Sequence, residues 1–167
     1  MSEKRILGSY QLVHSETGGV LAPARSSTYA ASKTNVYGYR NADLSDSFYT
    51  WQLLQPGTKL SPTMGPCALF HPVTSTLLEV HREETGAGKV AYKVVAIGWD
   101  GNGQHSPPFN VVLVPDGADF RISFANGAPP FLALAQPDGS QSDGELPAII
   151  ENDAVEAALF ELVPRQT

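Results

Sequence analysis

The sequence is poor in cysteine, in clustered basic residues and in long apolar runs. Its 167 residues contain a single cysteine, Cys67, so a fold built on internal disulfide bridges is excluded. Lysine and arginine total 11 against 17 aspartates and glutamates, the formal net charge is −6, and no basic run occurs, so we expect no nucleic-acid partner. No apolar stretch approaches the roughly 18 residues of a membrane-spanning helix, so membrane insertion is not expected.

The chain also shows no signal peptide, because Met1 to Arg5 lead into no apolar stretch. Asn-x-Ser/Thr glycosylation acceptors are absent as well. We therefore expect the protein to be cytoplasmic or to be secreted by a non-classical route. A hydrophobic content of 42% is sufficient for one folded domain, predicted over residues 1–167.

Helical periodicity is almost absent, and the one helical turn that the sequence predicts runs from Asp153 to Ala158, with Asn152 as its cap. Elsewhere, short runs rich in Val, Leu, Phe and Tyr alternate with clusters of turn-forming residues. The chain holds 15 glycines and 13 prolines, which is typical of many short strands joined by turns. The predicted class is all-β.

Three segments open in the same way, which indicates an internal repeat. They are Tyr10–His14, Cys67–His71 and Phe120–Phe124, and each places apolar residues at alternate positions, on one face of a strand. A turn and an apolar pair follow each opening; the pairs are Val20-Leu21, Leu77-Leu78 and Phe131-Leu132. The predicted repeats span approximately residues 6–57, 63–117 and 118–165.

The repeats also close alike and have room for a further strand before the closing one. The closing segments are Trp51–Leu53, Val111–Leu113 and Phe160–Leu162, and the middle segments are Asn35–Arg40, Lys89–Ile97 and Pro147–Glu151. Four strands in each of three repeats predict twelve strands in total.

A four-stranded unit of this kind cannot bury its own apolar face, so three units should pack around a pseudo-threefold axis. The opening and closing strands would form a barrel, and the middle hairpins would cap it. The shared core would contain Tyr10, Trp51, Leu69, Val111, Ile122 and Phe160. The predicted fold is an all-β β-trefoil of twelve strands in three pseudo-threefold repeats, and a β-sandwich with irregular strand spacing is the alternative.

The whole chain resembles β-trefoil proteins. The third repeat, with Phe120–Gly127, Phe131–Leu134 and Leu159–Leu162, is most similar to the repeat unit of fascin-like and agglutinin-like trefoils. The length and the lack of disulfides and of a signal also resemble cytosolic fungal trefoil lectins and mycocypin-type cysteine protease inhibitors. The ricin-type signature Gln-x-Trp is not reproduced, because Tyr49-Thr50 precede Trp51. The resemblance therefore implies the fold and a binding function rather than a ricin-type sugar site.

Catalytic motifs are absent, since neither Gly-x-Ser-x-Gly nor His-Glu-x-x-His occurs, and an enzyme is not expected. Gly86–Lys89 resembles the end of a phosphate-binding loop but lacks its serine or threonine, and is predicted to be a hairpin turn. Cys67 lies at a core position, and His14 and His71 align with a phenylalanine of the third repeat, so all three are predicted to be structural. No cofactor and no metal are predicted; a calcium ion at Asp100–Gln104 is the alternative.

Carbohydrate recognition is the function that the loops favour. A sugar needs an aromatic platform for its apolar face and Asp, Asn or Gln side chains for its hydroxyls, on loops held by a rigid scaffold. The candidate ligand-binding residues are Tyr37, Tyr39, Asn41 and Asp43 in the first repeat, and Trp99, Asp100, Asn102, Gln104 and His105 in the second. We predict a non-enzymatic carbohydrate-binding lectin whose partners are glycans or glycoproteins. Against this stands the possibility that these residues only pack beneath their loops and form turns.

A protease inhibitor, mycocypin-like or Kunitz-like, is the alternative function. The loops Ala24–Thr34, Lys59–Gly65 and Gln104–Pro108 are long enough to enter a protease cleft, although no residue marks a reactive bond. Proline pairs such as Pro107-Pro108 would lower the cost of ordering a loop on binding. Actin bundling, which fascin-like repeats suggest, would favour a basic face, and this chain is acidic.

Overall fold

The computed structural model describes residues 4–25, 34–56, 66–99, 108–125, 131–137, 144–153 and 155–165. It contains twelve strands, each overlapping a strand predicted from the sequence: β1 (Lys4–His14), β2 (Val20–Pro23), β3 (Thr34–Tyr39), β4 (Trp51–Pro56), β5 (Ala68–His71), β6 (Thr76–Gly86), β7 (Lys89–Gly98), β8 (Val111–Asp116), β9 (Asp119–Phe124), β10 (Phe131–Leu134), β11 (Glu145–Glu151) and β12 (Phe160–Arg165).

The opening and closing strands of the repeats form an antiparallel barrel. Strand β1 pairs with β4, β4 with β5, β8 with β9, β9 with β12, and β12 with β1. A bridge between Cys67 and Val111, with N···O distances of 2.6 and 2.9 Å, joins β5 to β8 and closes the ring. Closure gives every barrel strand a partner on both sides, which is how such short strands form a stable sheet.

The remaining strands form three hairpins, β2–β3, β6–β7 and β10–β11, that cap the barrel. The hairpins meet at β3, which pairs with β7 at Asn35↔Val95 and with β11 at Gly38↔Leu146. The fold is therefore a β-trefoil, as predicted, and not the alternative β-sandwich.

One apolar core fills the barrel and reaches into the cap. Of the six residues predicted to share it, five are at most 1% exposed and Tyr10 packs against them; the five are Trp51, Leu69, Val111, Ile122 and Phe160. The Trp51 indole N–H donates to the Leu21 carbonyl at 2.8 Å, so this large side chain is buried with its polar atom satisfied. Burial of each such side chain contributes about 1.5–3 kcal/mol.

The cysteine and two histidines predicted to be structural are buried. Cys67 is 0% exposed, and burial raises the pKa of its thiol to about 12. His71 is 0% exposed with Nδ1 2.7 Å from the Thr74 hydroxyl, and the equivalent His14 is 6% exposed with Nδ1 2.7 Å from the Thr17 hydroxyl. All three side chains are therefore buried, in agreement with the core positions expected for them.

The helical turn predicted from Asp153 to Ala158 is wrong, because the described residues of this segment form a turn and a bend and none of them is helical. The Asp153 carboxylate accepts a hydrogen bond from the Val155 amide at 2.9 Å, and its carbonyl accepts one from the Glu156 amide at 3.1 Å. Aspartate thus satisfies the local backbone without a helix, which is why this residue type favours turns.

A short 3-10 helix, Ser47–Tyr49, lies instead in the loop between β3 and β4. The Asp46 carboxylate caps it by accepting a hydrogen bond from the Phe48 amide at 2.9 Å. The sequence prediction missed this helix, although the acidic cap was visible. None of the described residues belongs to a helix that is long and apolar enough to cross a membrane.

Candidate functional site

A groove of about 490 Å³ opens in the cap, lined by Asn35–Tyr37 of β3, Tyr92–Val94 of β7 and Pro147–Ile150 of β11. Because it is lined by the equivalent strand of each repeat, it lies at the pseudo-threefold axis. The β3–β7 ladder covers only two residue pairs, and within the described ranges no ladder joins β7 to β11. Strand β7 therefore diverges from β3 and β11 at the groove, so that the groove walls include backbone at strand edges as well as side chains.

Alternation along the three strands gives the groove two kinds of lining. Val36 and Val94 belong to the buried core, and Ala148 and Ile150 pack against it. The intervening positions carry Asn35, Tyr37, Lys93, Pro147 and Ile149. The groove thus combines an apolar base with an outer lining of amide, phenol and ammonium groups.

Two tyrosines give the groove its aromatic character. Tyr37 is half-buried, its ring lies edge-to-face with Tyr39 at a centroid distance of 6.0 Å, and its hydroxyl accepts a hydrogen bond from the Asn35 amide at 3.4 Å. Tyr92 is half-buried and packs against the core. Rings held in this way present a fixed apolar surface beside a polar hydroxyl.

Tyr39, a predicted ligand-binding residue, is 8% exposed and faces the loop before β4. Its hydroxyl donates to the Pro23 carbonyl at 3.3 Å and accepts a hydrogen bond from the Arg25 amide at 2.9 Å. Burial raises the pKa of this phenol. The ring lies 5.8 Å from that of Tyr49, and the Arg25 guanidinium stands 4.3 Å from the Phe48 ring centroid. The structure thus gives Tyr39 a supporting position under the loop.

Asn41 and Asp43, two further predicted residues, are exposed and lie outside the groove lining. The Asp43 carboxylate accepts hydrogen bonds from the Ser45 hydroxyl at 2.7 Å and from the Ser45 amide at 3.0 Å. These two bonds lower the pKa of Asp43. Asp43 is therefore held in a local turn on the surface.

Trp99, the aromatic residue predicted for the second repeat, is half-buried. Its ring meets that of Phe70 edge-to-face at 5.1 Å, and it packs with Leu54, Leu77 and Phe109 in a small satellite cluster. The other predicted residues of this site lie outside the described residues: Asp100, Asn102, Gln104 and His105. The second predicted site therefore stays a prediction.

The groove contains one residue that the sequence prediction included, Tyr37, and its missed lining residues include three with polar or aromatic side chains, Asn35, Tyr92 and Lys93. All three lie in segments that were predicted as middle strands. The available signal was in β3, where the polar Asn35 and the aromatic Tyr37 flank the apolar Val36.

Two further depressions, of about 410 and 470 Å³, lie against the β11–β12 and β3–β4 loops. The described residues that line these two depressions include no tyrosine, tryptophan or phenylalanine. Within the part of the chain that the structure describes, no group of three or more His, Cys, Asp or Glu side chains could hold a metal ion.

The chain matches no known family model and no curated protein sequence. Solved structures do match over almost its whole length. The SDF2-like protein from Arabidopsis thaliana has a TM-score of 0.68 and 16% identity, covering 96% of this chain and 94% of that one. For the Rhizoctonia solani agglutinin, the TM-score is 0.58 with 17% identity and coverage of 95% of each chain.

The Macrolepiota procera ricin B-like lectin, solved in complex with lactose, has a TM-score of 0.55 and 14% identity, covering 94% of this chain and 95% of that one. At such identities the likeness concerns the backbone architecture. The chain has the β-trefoil fold that it shares with these proteins, lectins among them.

Proposed function

We propose that the protein is a non-enzymatic lectin that binds glycans or glycoproteins in the cap groove. The observation that carries this proposal is that Tyr37, Tyr92, Asn35 and Lys93 line one open groove. A sugar ring has apolar C–H faces that pack on aromatic rings, and its hydroxyls require donors and acceptors such as an amide, a phenol or a strand edge. The groove supplies both kinds of contact on strands rather than on loops.

The buried side chains support binding without catalysis. The Cys67 thiol is enclosed and its pKa of about 12 keeps it protonated near neutral pH, so it is no nucleophile. His71 is fully buried with both ring nitrogens in internal hydrogen bonds, so it is not positioned as a general base for an external substrate. Proteins of this fold include lectins, which makes the binding function a natural use of the scaffold.

The proposal is tested by a glycan array with the wild-type protein and two groove variants, Tyr92→Ala and Asn35→Ala. We expect each variant to lose at least about tenfold in affinity, because each removes a stacking surface or a hydroxyl partner. Asn35 is exposed, so Asn35→Ala should remain folded. Tyr92 is half-buried, so Tyr92→Ala is the variant more prone to unfold. Val155→Ala is the matched control, since Val155 is 79% exposed and lies outside the groove.

A parallel Trp99→Ala variant separates the cap groove from the loop site predicted in the second repeat. Loss of binding in Trp99→Ala, with Tyr92→Ala and Asn35→Ala unaffected, would move the site to that loop. If no glycan on the array bound and the protein tightly inhibited a papain-like or trypsin-like enzyme, the lectin function would be rejected in favour of protease inhibition.

A further inference from the structure

The charge of the cap groove differs from that of the whole protein. The chain carries a formal net charge of −6, but the lining residues that the structure describes include no aspartate or glutamate and one charged residue, Lys93. A neutral sugar can accept a hydrogen bond from this ammonium through a hydroxyl, but an anionic group adds a charge–charge attraction to that hydrogen bond. An anion entering this groove would therefore meet a cation at the wall and no carboxylate among the lining residues.

The Lys93 ammonium is only loosely engaged inside the protein. Its ammonium nitrogen lies 3.9 Å from a carboxylate oxygen of Glu83, and the two side chains are 61% and 47% exposed. An ion pair between exposed side chains at this distance contributes little to stability, so a ligand anion can compete with Glu83 for the ammonium. Lys93 is thus held near the groove without being neutralised there.

Arg82 is a further exposed cation on the β6–β7 hairpin, on the strand face that carries Tyr92 rather than the face that carries Lys93. Arg82 is directly opposite Tyr92 in the β6–β7 ladder, and opposite residues of an antiparallel pair project on the same face. Arg82 is exposed, as is Glu84 two positions closer to the hairpin tip. Arg82 is therefore nearer to the Tyr92 ring along the strand than Glu84, which pairs with Val90.

We propose that the cap groove selects sugars that carry an anionic group. This inference rests on the proposed lectin function of the same groove. The Lys93 ammonium bonds the anion, the tyrosine rings contact the apolar face of the sugar, and the Asn35 amide contacts a ring hydroxyl. Because lysine is a point charge without the fork geometry of arginine, a carboxylate and a sulfate ester are both suitable sources of the charge.

The experiment compares glycans that differ only in the charge. Oligogalacturonates are titrated beside their methyl esters, and sulfated galactans beside their desulfated forms, with binding followed by calorimetry or by NMR shifts of backbone amides. We expect about a tenfold preference for the charged member of at least one pair, since a charge-assisted hydrogen bond exceeds a neutral one by about 1–2 kcal/mol. The preference should weaken at 0.5 M salt, where screening shortens the Debye length to about 4 Å.

The decisive variant is Lys93→Gln, which should abolish the preference because it weakens binding of the charged member more than binding of the neutral member. Arg40→Gln is the matched control, because Arg40 is exposed outside the groove and its loss alters the net charge by the same unit. Equal affinity of wild-type protein for both members of each pair would overturn the anion preference and leave the lectin intact. An equal effect of Arg40→Gln would also overturn it, while binding of no sugar at all would remove the proposed function itself.

Discussion

Tyr37 and Tyr39 are two positions apart on β3 and share a face of the strand, but the fold gives them different surroundings. Tyr39 packs against Phe48 and Tyr49, and its hydroxyl is hydrogen-bonded to the Pro23 carbonyl and the Arg25 amide. Tyr37 lines the groove, and its hydroxyl accepts a hydrogen bond from the Asn35 amide. Sequence spacing placed both tyrosines on the same candidate site, and packing separates them.

Removal of each hydroxyl tests this difference. Tyr39→Phe should lower the free energy of unfolding by about 1–2 kcal/mol, because the hydrogen bonds to the Pro23 carbonyl and from the Arg25 amide are both lost. It should leave sugar affinity unchanged. Tyr37→Phe should change stability by less than about 0.5 kcal/mol and should weaken sugar binding. Urea unfolding and a glycan titration measure the two effects. Weaker binding in Tyr39→Phe at full stability would return Tyr39 to the binding site.

The β6–β7 hairpin is the element that carries Tyr92 and Lys93 to the groove. Gly86 pairs with Lys89, so Ala87 and Gly88 form a two-residue loop, and both have positive φ, 51° and 77°. Positive φ at both loop positions is the pattern of a type I′ turn, which matches the twist of the strands and favours Asn-Gly. The turn predicted at Gly86–Lys89 is confirmed, with an alanine in a conformation that disfavours a Cβ atom.

This turn predicts a stabilising substitution. Ala87→Asn should raise the free energy of unfolding by about 0.5–1 kcal/mol, because asparagine tolerates the left-handed conformation better than alanine. Ala87→Val is the opposing control, since a β-branched side chain is strained at positive φ and should lower the stability. Thermal and urea unfolding of the wild-type protein and the two variants rank the three by stability. A less stable Ala87→Asn protein would show that the loop adopts another conformation.

At the scale of the whole molecule, the barrel was predictable from sequence because the residue pattern of each strand indicates which of its faces is buried. Alternate apolar residues such as Leu12, Leu69 and Ile122 mark one buried face, and the repeat spacing fixes how many strands share it. The groove was not predictable in the same way. Its lining depends on the register between middle strands of different repeats, as in Asn35↔Val95, and no local pattern specifies pairings over such separations.

The pH dependence of stability is also a property of the whole molecule, because buried His71 joins the barrel to the β3–β4 loop. Its ring centroid lies 5.0 Å from that of Trp51, and Nε2 bonds to the Phe48 carbonyl. Burial lowers the pKa of His71 from 6.5 to about 4. Above pH 6.5 the imidazole is neutral whether the chain is folded or unfolded. As the pH falls from 6.5 to about 4, only the unfolded chain takes up the proton, so the folded state should lose about 3 kcal/mol.

His71→Phe isolates this effect, because phenylalanine occupies the equivalent position of the third repeat at Phe124. The variant should start from a lower stability, since the Phe48 carbonyl and the Thr74 hydroxyl lose their partner, but its unfolding free energy should fall less steeply between about pH 7 and pH 4. Burial lowers the pKa of His14 and raises that of Glu79 in both proteins, so their contributions cancel in the difference. Equal slopes in urea unfolding would mean that His71 takes up its proton in the folded state, which requires the β3–β4 loop to release the ring.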